Sequence, residues 1–335
     1  MDLPLFESAT TSGTAVRELV EAWTATSRED LEAALAIASE MAPSVGPDAE
    51  ALQSLPADVF DRLSRQPSVV FWSTVTLRSA LGVPSTSVDG RVIAPDPGHV
   101  SVILDQTDEL TRDALRVHRP DPWLRLPFDD GILYEEGPVV QEGAAALEEA
   151  LAIVRRWDPA LEAELRTTCS EVQFIQDAAA PDRIVSFSDD VVPGALYVSV
   201  RRGEDLLPPE LLADSLVHEY RHQKLYLLQR TVPLLEQDSP PVVSPWRSDP
   251  RPPSGLLHAV FVFSCLLDFW RHLDRDPACY PSANREAETI EGRLHQAFPV
   301  LWGTPLTSEG AELVGILAER VGAPRGPSLS ARALP

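Results

Sequence analysis

Residues 211–229 read LLADSLVHEYRHQKLYLLQ, and the centre of this stretch, His218-Glu219-Tyr220-Arg221-His222, is an H-E-x-x-H pattern. On a helix, residues four apart stand one above the other on the same face. Both imidazoles can then reach one metal ion, and Glu219 falls beside its outer shell. With 7 His in 335 residues, chance places such a short motif in about one chain in a hundred, so context has to support it. Leu212, Leu216, Leu225, Tyr226 and Leu228 flank the motif at helical spacing, and Pro208 and Pro209 precede it where a helix can start. The competing reading is a buried amphipathic helix that carries two polar histidines; the context favours a metal site.

Two histidines leave a metal short of protein ligands, so a third is expected. The extended metalloprotease pattern needs a histidine at position 228, where Leu228 stands, and that class is excluded. Glu286, Glu288 and Glu291 in a later helix remain open as a carboxylate ligand. His258 is the preferred candidate, because it heads an otherwise apolar run, LLHAVFVFSCLLDFWRHL (256–273), where an unpaired imidazole is costly to bury. A core histidine bonded to a backbone carbonyl is the alternative. His99 and His118 lack metal-type spacing, His272 and His295 fall on the polar sides of their helices, and all four read as surface residues.

Outward from the motif, EVQFIQD (171–177), RIVSFSD (183–189) and GALYVSV (194–200) are rich in β-branched and aromatic residues, and the last two read as a hairpin closed over 190–193. Ser186, Ser188 and Ser199 either line a cleft wall or form the solvent face of the sheet. The segment 142–157 is a strong helix by composition, ending at Asp158-Pro159, a cap and start signal for a second helix to about 168. Residues 14–42 carry two helical patterns, the second opened by Ser27, and 57–81 continues in that style. Between 82 and 131 prolines interrupt every long pattern, while RVIA (91–94) and HVSVILD (99–105) alternate like short strands. The proline-rich stretch 231–254 reads as a loop or lid, and 282–302 and 308–322 as amphipathic helices, with 323–335 a frayed tail. The expectation is an α+β fold, mainly helical, with a small antiparallel sheet packed beside the motif helix. A helical N-terminal region with an irregular connector, 1–130, precedes a metal-binding region, 131–335, as two parts or one continuous domain.

The 51 acidic residues against 28 basic ones, a formal charge of −23, exclude a concentrated basic surface for nucleic acid. Three cysteines without C-x-x-C spacing suggest neither a disulfide framework nor a cysteine zinc site. The N-terminal residues lack the basic and apolar regions of a secretory signal, and the apolar run 256–267 is too short for a membrane span, so the expected location is cytoplasmic.

HEYRHQKL (218–225), SDPRPPSG (248–255), LLHAVFVF (256–263) and PGALYVSV (193–200) together resemble the HExxH-motif peptide-modification proteins, described as 2-oxoglutarate-dependent HExxH-type peptide β-hydroxylases, over about residues 183–270. The resemblance implies an iron(II) centre in place of hydrolytic zinc, with 2-oxoglutarate and O2 as cosubstrates and a ribosomally made precursor peptide as substrate. It implies His218, His222 and His258 as metal ligands, and Arg251 as the cation on the distal carboxylate of 2-oxoglutarate, with Arg247 as runner-up. A planar, permanently charged guanidinium suits bidentate carboxylate recognition; a solvated charge or a pair with Asp249 is the bland alternative for either arginine. Glu219 then orients a ligand or contacts substrate. The competing class is a zinc metallopeptidase with Glu219 as general base and Glu286 or Glu288 completing the site. A peptide-binding scaffold without tight metal is the non-enzymatic reading.

Overall fold

In the computed structural model, residues 15–107, 115–128, 130–236, 240–324 and 326 are described. Of these, 59% are helical and 12% lie in strands, which makes the fold α+β and mainly helical. The chain forms two compact units, one of Arg17–Ala152 and Glu162–Gln223, the other of Met1–Val16, Ile153–Leu161 and Lys224–Pro335.

The first of these units opens with α1 (Ala15–Met41), a single helix of 27 residues where two were expected. No Gly or Pro interrupts it, and Ser27 does not cap a second helix. It is buried within a continuous stripe with Trp23, Leu31, Leu35 and Ala38, so the helical period runs straight through it. Two short helices, α2 (Gly46–Gln53) and α3 (Ala57–Ser64), lead to α4 (Pro67–Ala80), which Pro67 starts. Leu63, Val69, Phe71, Trp72 and Val75 are buried in the core of this unit, together with Leu31, Trp123, Ile175 and Tyr197.

In the proline-rich connector, Ser85–Thr86 (β1) and Val92–Ile93 (β2) pair antiparallel. The segment 99–105 departs from expectation: it is a helix, α5 (His99–Asp105), with His99, Val100 and Ile103 buried. Val100, Ile103 and Leu104 satisfy the helical period as well as Val100, Val102 and Leu104 satisfy the strand period, and seven residues do not separate the two.

A five-stranded sheet carries the site. It joins β3 (Arg116–Val117), β4 (Ile132–Tyr134), β5 (Glu171–Asp177), β6 (Ser186–Phe187) and β7 (Ala195–Val198). It is mixed: β5 runs parallel to β3 and β7, while β4 and β6 are antiparallel to their neighbours. The expected β6–β7 hairpin pairs Ser186 with Val198 and Phe187 with Tyr197. Between β4 and β5 lie α6 (Pro138–Trp157) and α7 (Pro159–Thr168). Asp158 Oδ1 accepts from the Ala160 and Leu161 amides at 3.0 and 2.9 Å, the cap read from the sequence. After a small hairpin of β8 (Arg201–Arg202) and β9 (Asp205–Leu206) comes the motif helix, α8 (Pro209–Thr231). The division between the two units falls within α8, between Gln223 and Lys224.

In the second unit, the expected loop contains a hairpin, β10 (Val242–Ser244) with β11 (Arg247–Arg251), and Trp246 stacks on Phe263 at 4.8 Å between ring centres. Then follow α9 (Pro253–Leu273), α10 (Ala283–Trp302) and α11 (Ser308–Arg320). By length and composition α9 could cross a membrane, a test the core helix of a soluble protein also passes, and 78% of its apolar window is buried inside the protein. The cysteines are free, Cys169 and Cys265 buried and Cys279 exposed. Most of the tail expected to fray, from 327 on, lies outside the described residues.

Candidate metal centre

From Leu211 to Gln229 every residue of α8 is fully buried except Leu211, Asp214, His218, His222, Tyr226 and Gln229. These six fall at spacings of three and four, a single open stripe along one face. The motif histidines sit in its middle with Nε2 atoms 3.2 Å apart and ring centres at 5.0 Å. Two metal–nitrogen bonds of about 2.1 Å to one ion would span this separation at an angle of about 100°. The pair therefore fits a metal without rearrangement of the helix. His218 keeps 24% of its side-chain surface, yet the surrounding protein desolvates the ring and pushes its pKa down to about 4. It is held neutral, the form that ligates.

Glu219 points away from the open stripe. Its carboxylate accepts from Ser186 Oγ at 2.6 Å and from Ser188 Oγ at 3.0 Å, and only 2% of the residue is exposed. Ser188 Oγ also reaches the Glu219 carbonyl at 3.2 Å. Burial pushes the Glu219 carboxyl up to about 7, against the two serine hydrogen bonds that hold it lower and with a smaller push from Asp214. Oε1 lies 4.0 Å from His218 Nε2. Ser186 and Ser188 are thus not a solvent face of the sheet; they anchor the motif glutamate. Ser199, fully buried, accepts from the Val185 amide at 3.1 Å.

The rest of the buried face of α8 is polar to an extent the sequence did not suggest. Gln223 Oε1 accepts from the Gly194 amide at 2.8 Å, and Tyr220 Oη donates to Glu164. Arg221 and Lys224, the only lysine of the chain, are both buried. Each of these bonds joins positions at least 29 residues apart, so no local spacing signals them.

In the second unit, His258 is buried near the start of α9, and its Nε2 lies 2.9 Å from Gln229 Oε1, with Tyr226 at 4.8 Å between ring centres. This partner of Nε2 is a side chain of α8. Burial, aided by the Arg251 charge, pushes its pKa down to about 4. The alternative carboxylates are engaged elsewhere: Glu291 pairs with Arg271 at 2.9 Å, Glu286 with Arg285 at 3.7 Å, and Glu288 accepts from Asn284 at 3.2 Å. Among the described residues no three His, Cys, Asp or Glu side chains are gathered as a metal-holding group. The motif pair is brought together.

Arg251 ends β11 and lies half-buried across the start of α9. A Cβ at Gly255 would stand 2.8 Å from its Nε, so a side chain there would push the guanidinium aside. That Nε is buried and has no hydrogen-bond partner among the described residues. Burial and the neighbouring Arg247 charge lower the Arg251 pKa, against a smaller opposing effect of Asp249. Two guanidinium groups, one without a close carboxylate, make this a place that favours an anion. Arg247 itself is exposed.

Two histidines read as surface residues are not. His99 is 4% exposed between the rings of Trp72 and Trp123, at 6.1 and 5.4 Å. His118 adopts φ 53, stacks on Phe174, and its Nδ1 accepts from the Phe174 amide at 3.0 Å. His99 is buried and His118 half-buried, each against partners distant in sequence. His295 is exposed, as read.

Comparison with protein-family models gives no match for this chain, and comparison with curated proteins gives none.

Proposed function

We propose that this protein is an iron(II)- and 2-oxoglutarate-dependent oxygenase that hydroxylates a side-chain β-carbon of a ribosomally made peptide in the cytoplasm. The observation that carries the reading is the division of labour on α8. Two histidines stand with their Nε2 atoms 3.2 Å apart on the open stripe, while the motif glutamate is held by two serines of the sheet. A hydrolytic centre needs that carboxylate free to take a proton from a metal-bound water; here both of its oxygens already accept serine hydroxyls, although Oε1 stays 4.0 Å from His218 Nε2.

In this reading His218 and His222 hold the metal, and His258 is the third ligand that the resemblance implies. Arg251, with its orphaned Nε and its neighbour Arg247, binds the distal carboxylate of 2-oxoglutarate. Iron(II) so held supplies the activation of O2 for C–H oxidation. Glu219, through its hydrogen bonds to β6, fixes the rotation of α8 and so the direction in which both histidines point. The lowered pKa values of His218 and His258 keep protons from competing at those two rings down to mildly acidic pH.

One observation favours the second reading, a zinc metallopeptidase: the Glu219 carboxyl is raised to about 7, where a general base works well. Anaerobic reconstitution separates the two. The oxygenase binds one iron(II) and develops a visible charge-transfer band on addition of 2-oxoglutarate, and His218→Ala and His222→Ala each abolish metal binding with the fold retained. Stoichiometric zinc, no band and cleavage of peptide without cosubstrate would establish the peptidase instead.

A further inference from the structure

A cavity of about 420 Å³ opens in the first unit, on the side of the sheet away from the histidine pair. Its apolar wall is built by Pro122, Leu126, Phe128, Ile132 and Tyr134, with the Arg125 side chain among them. That volume lies in the usual range of small-ligand sites, about 300–1,000 Å³. The strand β6 separates the two regions. Its Ser186 and flanking Ser188 hold Glu219 on one side, while Phe187, pointing the other way, packs on Phe128 at 4.8 Å and stacks on Tyr197 at 4.5 Å.

The charge at this cavity is unusual for a chain with a net charge of −23. Arg91 is committed: it pairs with Asp89 at 2.8 Å and donates to the Phe128 carbonyl at 2.9 Å. Arg125 is not. Its guanidinium lies 4.2 Å over the Tyr134 ring, its Nε is buried, and it has neither hydrogen-bond partner nor carboxylate among the described residues. The nearest acid of the rim, Asp130, is 93% exposed and turned to Arg91 at 3.6 Å. A guanidinium stacked on Tyr134, lining an apolar cavity and with no ion pair to a carboxylate among the described residues, suits a carboxylate attached to an apolar or aromatic body.

We infer that this cavity is a binding site for an amphipathic carboxylate, its anionic head on Arg125 and its apolar body against Phe128 and Ile132, separate from the metal centre and independent of the activity assigned to that centre. The shared chemistry has two sources: a free aryl-substituted acid, or an acidic residue next to an aromatic one on a peptide.

Calorimetric titration of the full chain tests it, with 3-phenylpropionate as one probe, an end-blocked hexapeptide carrying Asp-Phe as the other, and 3-phenylpropanol as the uncharged control. The expected result is saturable 1:1 binding of at least one acidic probe, weaker by about tenfold or more for the alcohol. Arg125→Met and Leu126→Glu should each weaken it to the same degree. Leu126 is partly exposed, so its replacement leaves the fold intact and places a competing carboxylate at the mouth. Binding of the free acid alone assigns a small-molecule source, and binding of the peptide alone assigns a peptide source. No saturable binding of either probe, equal affinity for the alcohol, or binding that survives both variants would overturn the site.

Discussion

Ser186 Oγ donates to Glu219 Oε1 at 2.6 Å, across 33 residues of sequence, and so ties the middle of the motif helix to the edge of the sheet. With Ser188 it satisfies a carboxyl group that is otherwise cut off from water. A buried polar group left without its partner costs about 1–3 kcal/mol. Ser186→Ala/Ser188→Ala should therefore destabilise the protein by about that much in urea unfolding, and the loss should shrink when Glu219 is first replaced by Leu. An undiminished loss in the Glu219→Leu background would show that the serines act through something other than the carboxyl.

Gly194 holds this arrangement from the other side. It sits at φ +87 in the turn before β7, gives its amide to Gln223 of α8, and a Cβ there would stand 2.9 Å from the Thr168 carbonyl oxygen. Left-handed backbone and a close carbonyl both oppose any side chain. Gly194→Ala should lower stability by about 1–3 kcal/mol, read from thermal or urea unfolding. A change within a few tenths would mean that the turn relaxes freely.

What could be read before folding, and what could not, follows from the range of the interactions. The motif pair, the Asp158 cap and the β6–β7 hairpin are local: each is decided by residues within about fifteen positions, and each was legible. Ser27 and the 99–105 segment were misread because a polar residue on a buried stripe and a seven-residue apolar run satisfy two patterns at once. The serine anchors of Glu219, the Gln229 partner of His258 and the enclosure of His99 join distant parts of the chain, and nothing in residue spacing announces them. The Arg251 Nε belongs to the same class, for only the fold shows that it is buried without a hydrogen-bond partner among the described residues.

His99 gives the pH dependence. Its folded pKa is lowered, chiefly by burial, with Asp121 and Asp96 partly offsetting and Arg119 adding to the effect. A depressed value means that the neutral ring's contribution is fully present above its ordinary pKa of 6.5 and is lost as pH falls from there through the folded value. The unfolding free energy should decline below pH 6.5, and His99→Phe, which keeps an aromatic ring between Trp72 and Trp123, should flatten that decline. An identical pH profile in the variant would assign the acid sensitivity to other groups.

The bond between His258 and Gln229 makes a different kind of prediction, because the same ring cannot at once satisfy Gln229 through Nε2 and present that nitrogen to a metal. Gln229→Leu should cost about 1 kcal/mol in the metal-free protein and tighten iron(II) binding, as measured by competition with a chelator. Weaker binding in this variant would instead make Gln229 the residue that orients His258 through Nε2 while Nδ1 ligates.

Arg251 is held at a cost. Its guanidinium is partly desolvated and repelled by Arg247, with a smaller opposing effect of Asp249, and its Nε has no hydrogen-bond partner among the described residues. Sites that bind are often destabilising when empty, and replacing such a residue raises stability while function falls. Arg251→Met, which keeps the apolar stem against Gly255, should therefore unfold at a higher denaturant concentration than the natural protein. The same substitution removes a charge-assisted contact of about 1.5–3 kcal/mol, so it should weaken 2-oxoglutarate binding by about 10- to 150-fold while iron(II) binding by His218 and His222 persists. Lower stability together with an unchanged 2-oxoglutarate titration would show that Arg251 serves the packing of α9, and would pass the carboxylate to Arg247.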